Sequence, residues 1–175
     1  MAGQRLTDKT ALEQQTGSGD LLMVVDVNDT TSGSAGTSKK MDFKYVIQTD
    51  KFSLNNTEVQ ALHTTPKTLV GALSGYMITP MAVTILCTYA SGTESSSNNF
   101  YLGFEDNDTF YWKQVRDMMN GKTTNITFCL SSNPGTSGAC ETSILNKPFI
   151  CWSNAAFDGG WSCDIYVTYA YTKVL

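Results

Sequence analysis

The C-terminal run from Trp161 to Val174 constrains the fold more than any other stretch of the chain. Trp161, Cys163, Ile165, Val167, Tyr169 and Tyr171 occupy one parity, while Ser162, Asp164, Thr168, Ala170 and Thr172 occupy the other. Successive side chains of a strand point to opposite faces, so alternation sustained this long predicts a half-buried strand that closes a sheet. On a helix the same apolar positions would be scattered around the circumference. Tyr166 and Val174 lie on the otherwise polar face. Burial against a neighbouring subunit and packing within the chain explain them equally well.

Shorter runs repeat the pattern upstream. Val83, Ile85 and Cys87 share a face in Ala82 to Tyr89, as do Phe100, Leu102 and Phe104, and then Ile126, Phe128 and Leu130. Thr68-Leu69-Val70 and part of Ile144 to Trp152 read as further strands, and Thr109 to Met119 fits either strand or helix. Pro80 cannot donate to a ladder and predicts an edge or a bulge. Asn120-Gly121 is a hairpin-type turn signal. Ser91 to Asn99 has no apolar side chain and reads as a loop. Charged residues make up only 16% of the chain, against about 25% in ordinary soluble domains. Thr, Ser, Asn and Gly take their place, which suits wet strand faces and tight turns rather than exposed helices. The fold class expected is mainly β, an antiparallel β-sandwich of jelly-roll-like form.

The N-terminal third is organised differently. Thr7 to Glu13 suits a turn of helix capped by Thr7 or Asp8. Asp20 to Val27 is a short apolar run with carboxylates at its edges, expected as a buried strand. After the Ser/Thr/Gly loop from Asn28 to Ser38, Met41, Phe43 and Tyr45 alternate with Lys40, Asp42 and Lys44. A short helix starting at Asp42 is the competing reading; together the two segments predict a small hairpin with a flexible tip. A polar stretch follows at 48–58, so residues 1–50 form an N-terminal segment and 58–175 the β-domain.

No enzyme site is legible. The single histidine, His63, has no nucleophile motif near it, and G-x-S-x-G, P-loop and dinucleotide fingerprints are absent. Glu105-Asp106-Asn107-Asp108 is too tightly spaced for a calcium loop and reads as a polar turn. The five cysteines show no C-x-x-C pair and read as small buried apolar residues rather than zinc ligands. No cofactor or metal is expected. With a net charge of -4 and Lys39-Lys40 as the only basic pair, the chain lacks the footprint that nucleic-acid binding requires. The start Met1-Ala2-Gly3-Gln4-Arg5 has no apolar core of a signal peptide, and no apolar run reaches the ~18 residues of a membrane span. Tyr111 and Trp112 are the candidate residues for stacking on a sugar, with Trp152 and Trp161 as further aromatics; most such rings are core.

Two stretches carry a resemblance. Asp20-Leu21-Leu22-Met23-Val24-Val25-Asp26, a Gly/Ser loop, then Gly36-Thr37-Ser38-Lys39-Lys40-Met41 resembles an N-terminal segment of fibre and tail proteins of tailed bacteriophages. Thr65-Pro66-Lys67-Thr68-Leu69-Val70, with Ser74-Gly75-Tyr76, Pro148-Phe149-Ile150, Ser153, Gly159-Gly160 and the final strand, is similar to a phage virion β-domain. The stretch Ala72-Leu73-Ser74 departs from that pattern, and 91–145 matches nothing in it.

The resemblance implies a non-catalytic virion protein, made in the host cytoplasm: a homotrimeric head fibre or capsid decoration protein. It would dock on the major capsid protein or another virion protein through Leu21, Leu22, Val24, Val25, Lys39 and Lys40, and display the β-domain outward. The alternative is a carbohydrate-binding module or receptor-binding tail-fibre domain that takes a host-surface glycan at Tyr111 and Trp112. A hydrolase with a diffuse acidic site is the third reading.

Overall fold

The computed structural model describes residues 21–42, 46–106, 109, 111–132 and 143–174. The helix turn expected at Thr7 to Glu13 lies outside them. The chain divides into two compact units, Met1–Val46 and Ile47–Leu175.

In the first unit, β1 (Leu21–Asp26) pairs antiparallel with β2 (Thr37–Asp42), in register from Leu21 opposite Asp42 to Asp26 opposite Thr37. Phe43 to Tyr45, expected to continue β2, lie outside the described residues.

The second unit is an antiparallel β-sandwich. Its strands are β3 (Gln48–Leu54), β4 (Lys67–Val70), β5 (Tyr76–Ser91), β6 (Phe100–Gly103), β7 (Lys113–Val115), β8 (Ile126–Ser131), β9 (Phe149–Ser153) and β10 (Gly160–Lys173). One sheet has the order β3-β10-β5-β8, the other β4-β9-β6-β7. The chain crosses between sheets at every connection except β6 to β7, and the last strand lies beside the first. Eight strands wound this way form a jelly roll. The strand Gln48–Leu54, which the sequence reading left to the N-terminal segment and the polar stretch after it, is thus the first strand of the sandwich.

The alternation of β10 sets the core. Ile165 and Val167 stand opposite Ile85 and Val83 of β5, and Cys163 opposite Cys87, all buried. Leu69, Phe100, Leu102, Phe149 and Cys151 meet them from the second sheet. Between β3 and β4 lies α1 (Asn55-capped Asn56–Gln60). The Asn55 side chain accepts from the Glu58 N–H while Glu58 accepts from the Asn55 N–H, a capping box that satisfies two orphan donors. The N-x-x-E spacing carried this signal inside a stretch that polarity alone marks as a linker. The helix buries Val59, and the 3-10 turn after it buries Leu62.

Two irregularities follow from sequence. Pro80 sits in a long central strand, but β8 pairs only with Ala82 to Cys87, and β10 bulges between Thr168 and Tyr169, which pair with Ala82 and Pro80. The missing N–H therefore falls where no ladder needs it. Asn120-Gly121 does not close a hairpin. It lies in the crossing from β7 in one sheet to β8 in the other, where Asp117 and Met119 take left-handed backbone (φ 48° and 66°) and Gly121 follows at φ 64°.

Candidate functional site

The hairpin of β1 and β2 has two unlike faces. Directly opposed residues of antiparallel strands point the same way. Leu22, Val24 and Asp26 thus share a face with Met41, Lys39 and Thr37, and Leu22 and Val24 are half-buried. On the other face Met23 is 71% exposed and Val25 56%, opposite Lys40 and Ser38, and Val27 just beyond the strand is 69% exposed. A row of three exposed apolar side chains along one strand and its end is a surface that water solvates poorly.

The tip is tightly braced. Lys39 Nζ lies 2.9 Å from Asp26 Oδ2 and 2.9 Å from Asp29 Oδ2. Asp29 also accepts from the Thr31 N–H and hydroxyl, and the Thr37 hydroxyl donates to the Asp29 carbonyl at 2.7 Å. The Lys39 ammonium, followed by Thr31, lowers the Asp29 carboxyl to about 2, and the Asp26 carboxyl is lowered by Lys39 and the Asn28 N–H. Those carboxylates in turn raise the Lys39 ammonium. Gly36 has φ 105°, and a Cβ there would stand 2.7 Å from the Asp26 carbonyl oxygen, so only glycine returns the chain into β2 at this point.

This geometry divides the six docking candidates. Leu22, Val24 and Lys39 lie on the braced face, and the Lys39 ammonium is spent on the hairpin's own carboxylates. Val25 and Lys40 lie on the exposed face, and Leu21 takes a register position on that side, opposite Asp42. Met23 and Val27 join Val25 there although the sequence reading did not single them out. Their odd parity in 21–27 was the available signal; treating the run as one uniformly buried strand concealed it.

Tyr111 and Trp112 are adjacent but point to opposite sides of the second sheet. Trp112 packs edge-on to Phe149 at 5.7 Å on the core side, with Lys113 Nζ 5.7 Å from its ring. Tyr111 leans on Tyr101 at 5.2 Å on the outer side, where Tyr101 stacks on Trp152 at 5.4 Å and 11°. Trp152 is fully buried there, and Gly103 makes room for it: a Cβ at Gly103 would lie 3.0 Å from the indole. Gln114 donates to the Tyr101 hydroxyl at 3.1 Å. The two candidate rings do not form one flat platform, and Trp152 and Trp161 are both buried.

One end of the sandwich carries a polar brace with no counterpart in the sequence reading. Glu94 is buried in the apolar-free loop 91–99. Its Oε2 accepts from the N–H groups of Asp158 (2.7 Å) and Gly159 (3.1 Å), and its Oε1 from Ser96 (3.2 Å). Its carbonyl accepts from the Gly121 N–H at 2.9 Å. Asn98, also buried, donates to the Ala156 carbonyl. Asp158 accepts from the Ser95 and Ser96 hydroxyls, which lower its carboxyl. Elsewhere, Glu105 pairs with Lys147 at 3.6 Å, and exposed His63 bonds the Gln60 carbonyl through Nδ1. No helix among the described residues is long and apolar enough to cross a membrane.

The chain matches no protein-family model and no curated protein sequence. Among solved structures it is similar to a chain of the cyanophage Pam1 capsid asymmetric unit, with 11% identity and a TM-score of 0.42 over 98% of this chain and 99% of that one. At that distance the likeness carries no argument about role.

Proposed function

We propose that this chain is a non-catalytic structural protein of a tailed-phage particle, a head fibre or capsid decoration protein. The hairpin docks on a virion protein and the jelly roll is displayed outward, as a homotrimer. The observation that carries the reading is the exposed row Met23, Val25 and Val27 on a two-stranded sheet. Such a sheet is marginal in water and gains stability when a partner packs over its apolar face. The same residues lie in the segment whose sequence resembles phage fibre and tail proteins. Jelly rolls occur in viral capsid and lectin domains, and the fold alone does not choose between them.

The test compares the full chain with residues 47–175, a cut that spares β3. A cut after residue 50 would remove Gln48 and Asp50, which accept from the Tyr169 hydroxyl. The 47–175 protein is expected to keep its β-type circular dichroism and a solution mass three times that of its chain. It is expected not to co-sediment with particles assembled without this protein, whereas the full chain does. Equal co-sedimentation of both would refute docking through the hairpin, and a monomeric mass for both would remove the trimer.

A further inference from the structure

We propose that Cys87 and Cys163 form a cross-strand disulfide when the chain folds in an oxidising environment, stapling the two central strands β5 and β10. The two residues are direct partners in the β5–β10 register. Directly opposed residues in an antiparallel pair have Cα atoms about 4.5–5.5 Å apart, inside the roughly 4.4–6.8 Å window that a disulfide requires. Both side chains point into the core, and the sulfurs stand 3.6 Å apart as a thiol–thiol contact.

No other described cysteine is placed as well. Cys129 stands opposite Thr84 on the outer face of the same sheet and is exposed, so its sulfur lies on the wrong side of the strands. Cys151 belongs to the opposing sheet, opposite Leu102, and burial pushes its thiol up to about 12. In the folded, reduced protein Cys87 and Cys163 are both buried, and the Cys163 thiol is raised by its contact with Cys87 and by burial. Neither sulfur is then accessible to an oxidant. The bond must therefore form during folding, while the strands still open.

The oxidant is a small-molecule disulfide such as glutathione disulfide. One cysteine thiolate attacks it, forms a mixed disulfide and releases one glutathione thiolate. The second cysteine thiolate attacks the protein sulfur of that mixed disulfide and releases the second glutathione. Two cysteine thiols lose two protons and two electrons, and one glutathione disulfide becomes two reduced glutathiones. Folding in a reducing cytosol leaves the pair open, and folding in an oxidising compartment closes it. The proposal rests on the register and not on the virion reading.

The experiment unfolds the full chain in guanidinium and refolds it in parallel with glutathione disulfide and with dithiothreitol. The oxidised product is expected to be lighter by two hydrogens, and non-reducing peptide mapping is expected to join Cys87 to Cys163. Its Tm should exceed that of the reduced product by roughly 10 °C, because the bond closes a long loop in the unfolded chain. Cys87→Val and Cys163→Val, each compared with itself across the two conditions, should lose that difference whatever their own stability. Five free thiols after oxidative refolding, a link through Cys129, Cys140 or Cys151, or an oxidant-dependent Tm rise that survives in either variant would overturn the proposal.

Discussion

Replacing Met23, Val25 and Val27 together by serine removes the apolar row while leaving the hairpin ladder intact. Fully burying a Val or Met side chain is worth about 1.5–3 kcal/mol. These three retain 71%, 56% and 69% of their exposure, so a partner that covers them gains about two thirds of that figure from each. The sum is roughly 3–6 kcal/mol, and association costs consume part of it. At about 1.4 kcal/mol per tenfold, the triple variant should bind particles at least ~100-fold more weakly. Co-sedimentation of labelled protein with particles lacking it gives the Kd directly. Binding within about threefold of the parent, on the same scale, would refute the reasoning. Lys39→Glu serves as a contrast. It would set three carboxylates together at the tip, so it should loosen the hairpin itself. Hydrogen exchange at 28–37 should then rise for Lys39→Glu and stay unchanged for the serine variant.

Two predictions concern the sandwich. Glu94→Gln can keep an oxygen toward the Asp158 and Gly159 N–H groups only by turning its NH₂ onto the Ser96 N–H. A buried charged acceptor lost in this way costs about 2–4 kcal/mol, a Tm fall of about 6–12 °C; urea unfolding within 0.5 kcal/mol of the parent, the usual span of neutral surface changes, would show that the brace carries no weight. Burial, and then the hydroxyl's bond to Asp50, raise the Tyr169 phenol well above its ordinary 10.0. The folded state therefore holds a proton that the unfolded chain releases, so stability falls as pH rises past about 10. Tyr169→Phe should flatten that alkaline decline, and an unchanged slope in chemical denaturation between pH 9 and 11 would contradict it.

The fold was largely legible because a sandwich strand writes its burial directly into residue parity. Trp161 to Tyr171 and Val83 to Cys87 show it, while Phe100 to Gly103 is buried on both faces because Tyr101 stacks on Trp152. What escaped was any feature built from polar atoms. Glu94 and Asn98 sit in a loop whose composition reads as solvent-exposed, and nothing local says that the backbone N–H groups of Asp158 and Gly159, from a distant loop, meet the Glu94 carboxylate. Gln48 to Leu54 escaped for a related reason. As an edge strand it has one neighbour, and its inward parity begins with polar Gln48 and Asp50: Gln48 is buried, Asp50 stays exposed, and both bond the Tyr169 hydroxyl. At the candidate site, position was legible and orientation was not. The run 21–27 was recognised, but which parity faces out depends on its pairing with Thr37 to Asp42.

The same distinction decides what Tyr166 says about self-association. On an otherwise polar face it could mark a subunit contact. In the structure Lys51 Nζ lies 5.8 Å from the centre of its ring and is itself held 2.9 Å from Asp164. Around them Thr49 bonds Thr168 at 2.9 Å and Ser53 bonds Asp164 at 2.6 Å. This outer face satisfies its own polar groups and covers its one large ring, so Tyr166 needs no neighbour. The exposed Met81 is likewise accounted for by the bulge beside Pro80. Three of the six exposed large apolar side chains among the described residues, Met23, Val25 and Val27, belong to the hairpin, while Ile47 and Val174 lie beside strand ends. A trimer formed by the jelly roll would therefore join wet faces through polar contacts and bound water, and the apolar driving force for docking would be confined to the hairpin. The solution mass of the 47–175 protein separates the two: a trimer that persists without the hairpin places self-association on the polar faces, and one that vanishes places it on the hairpin.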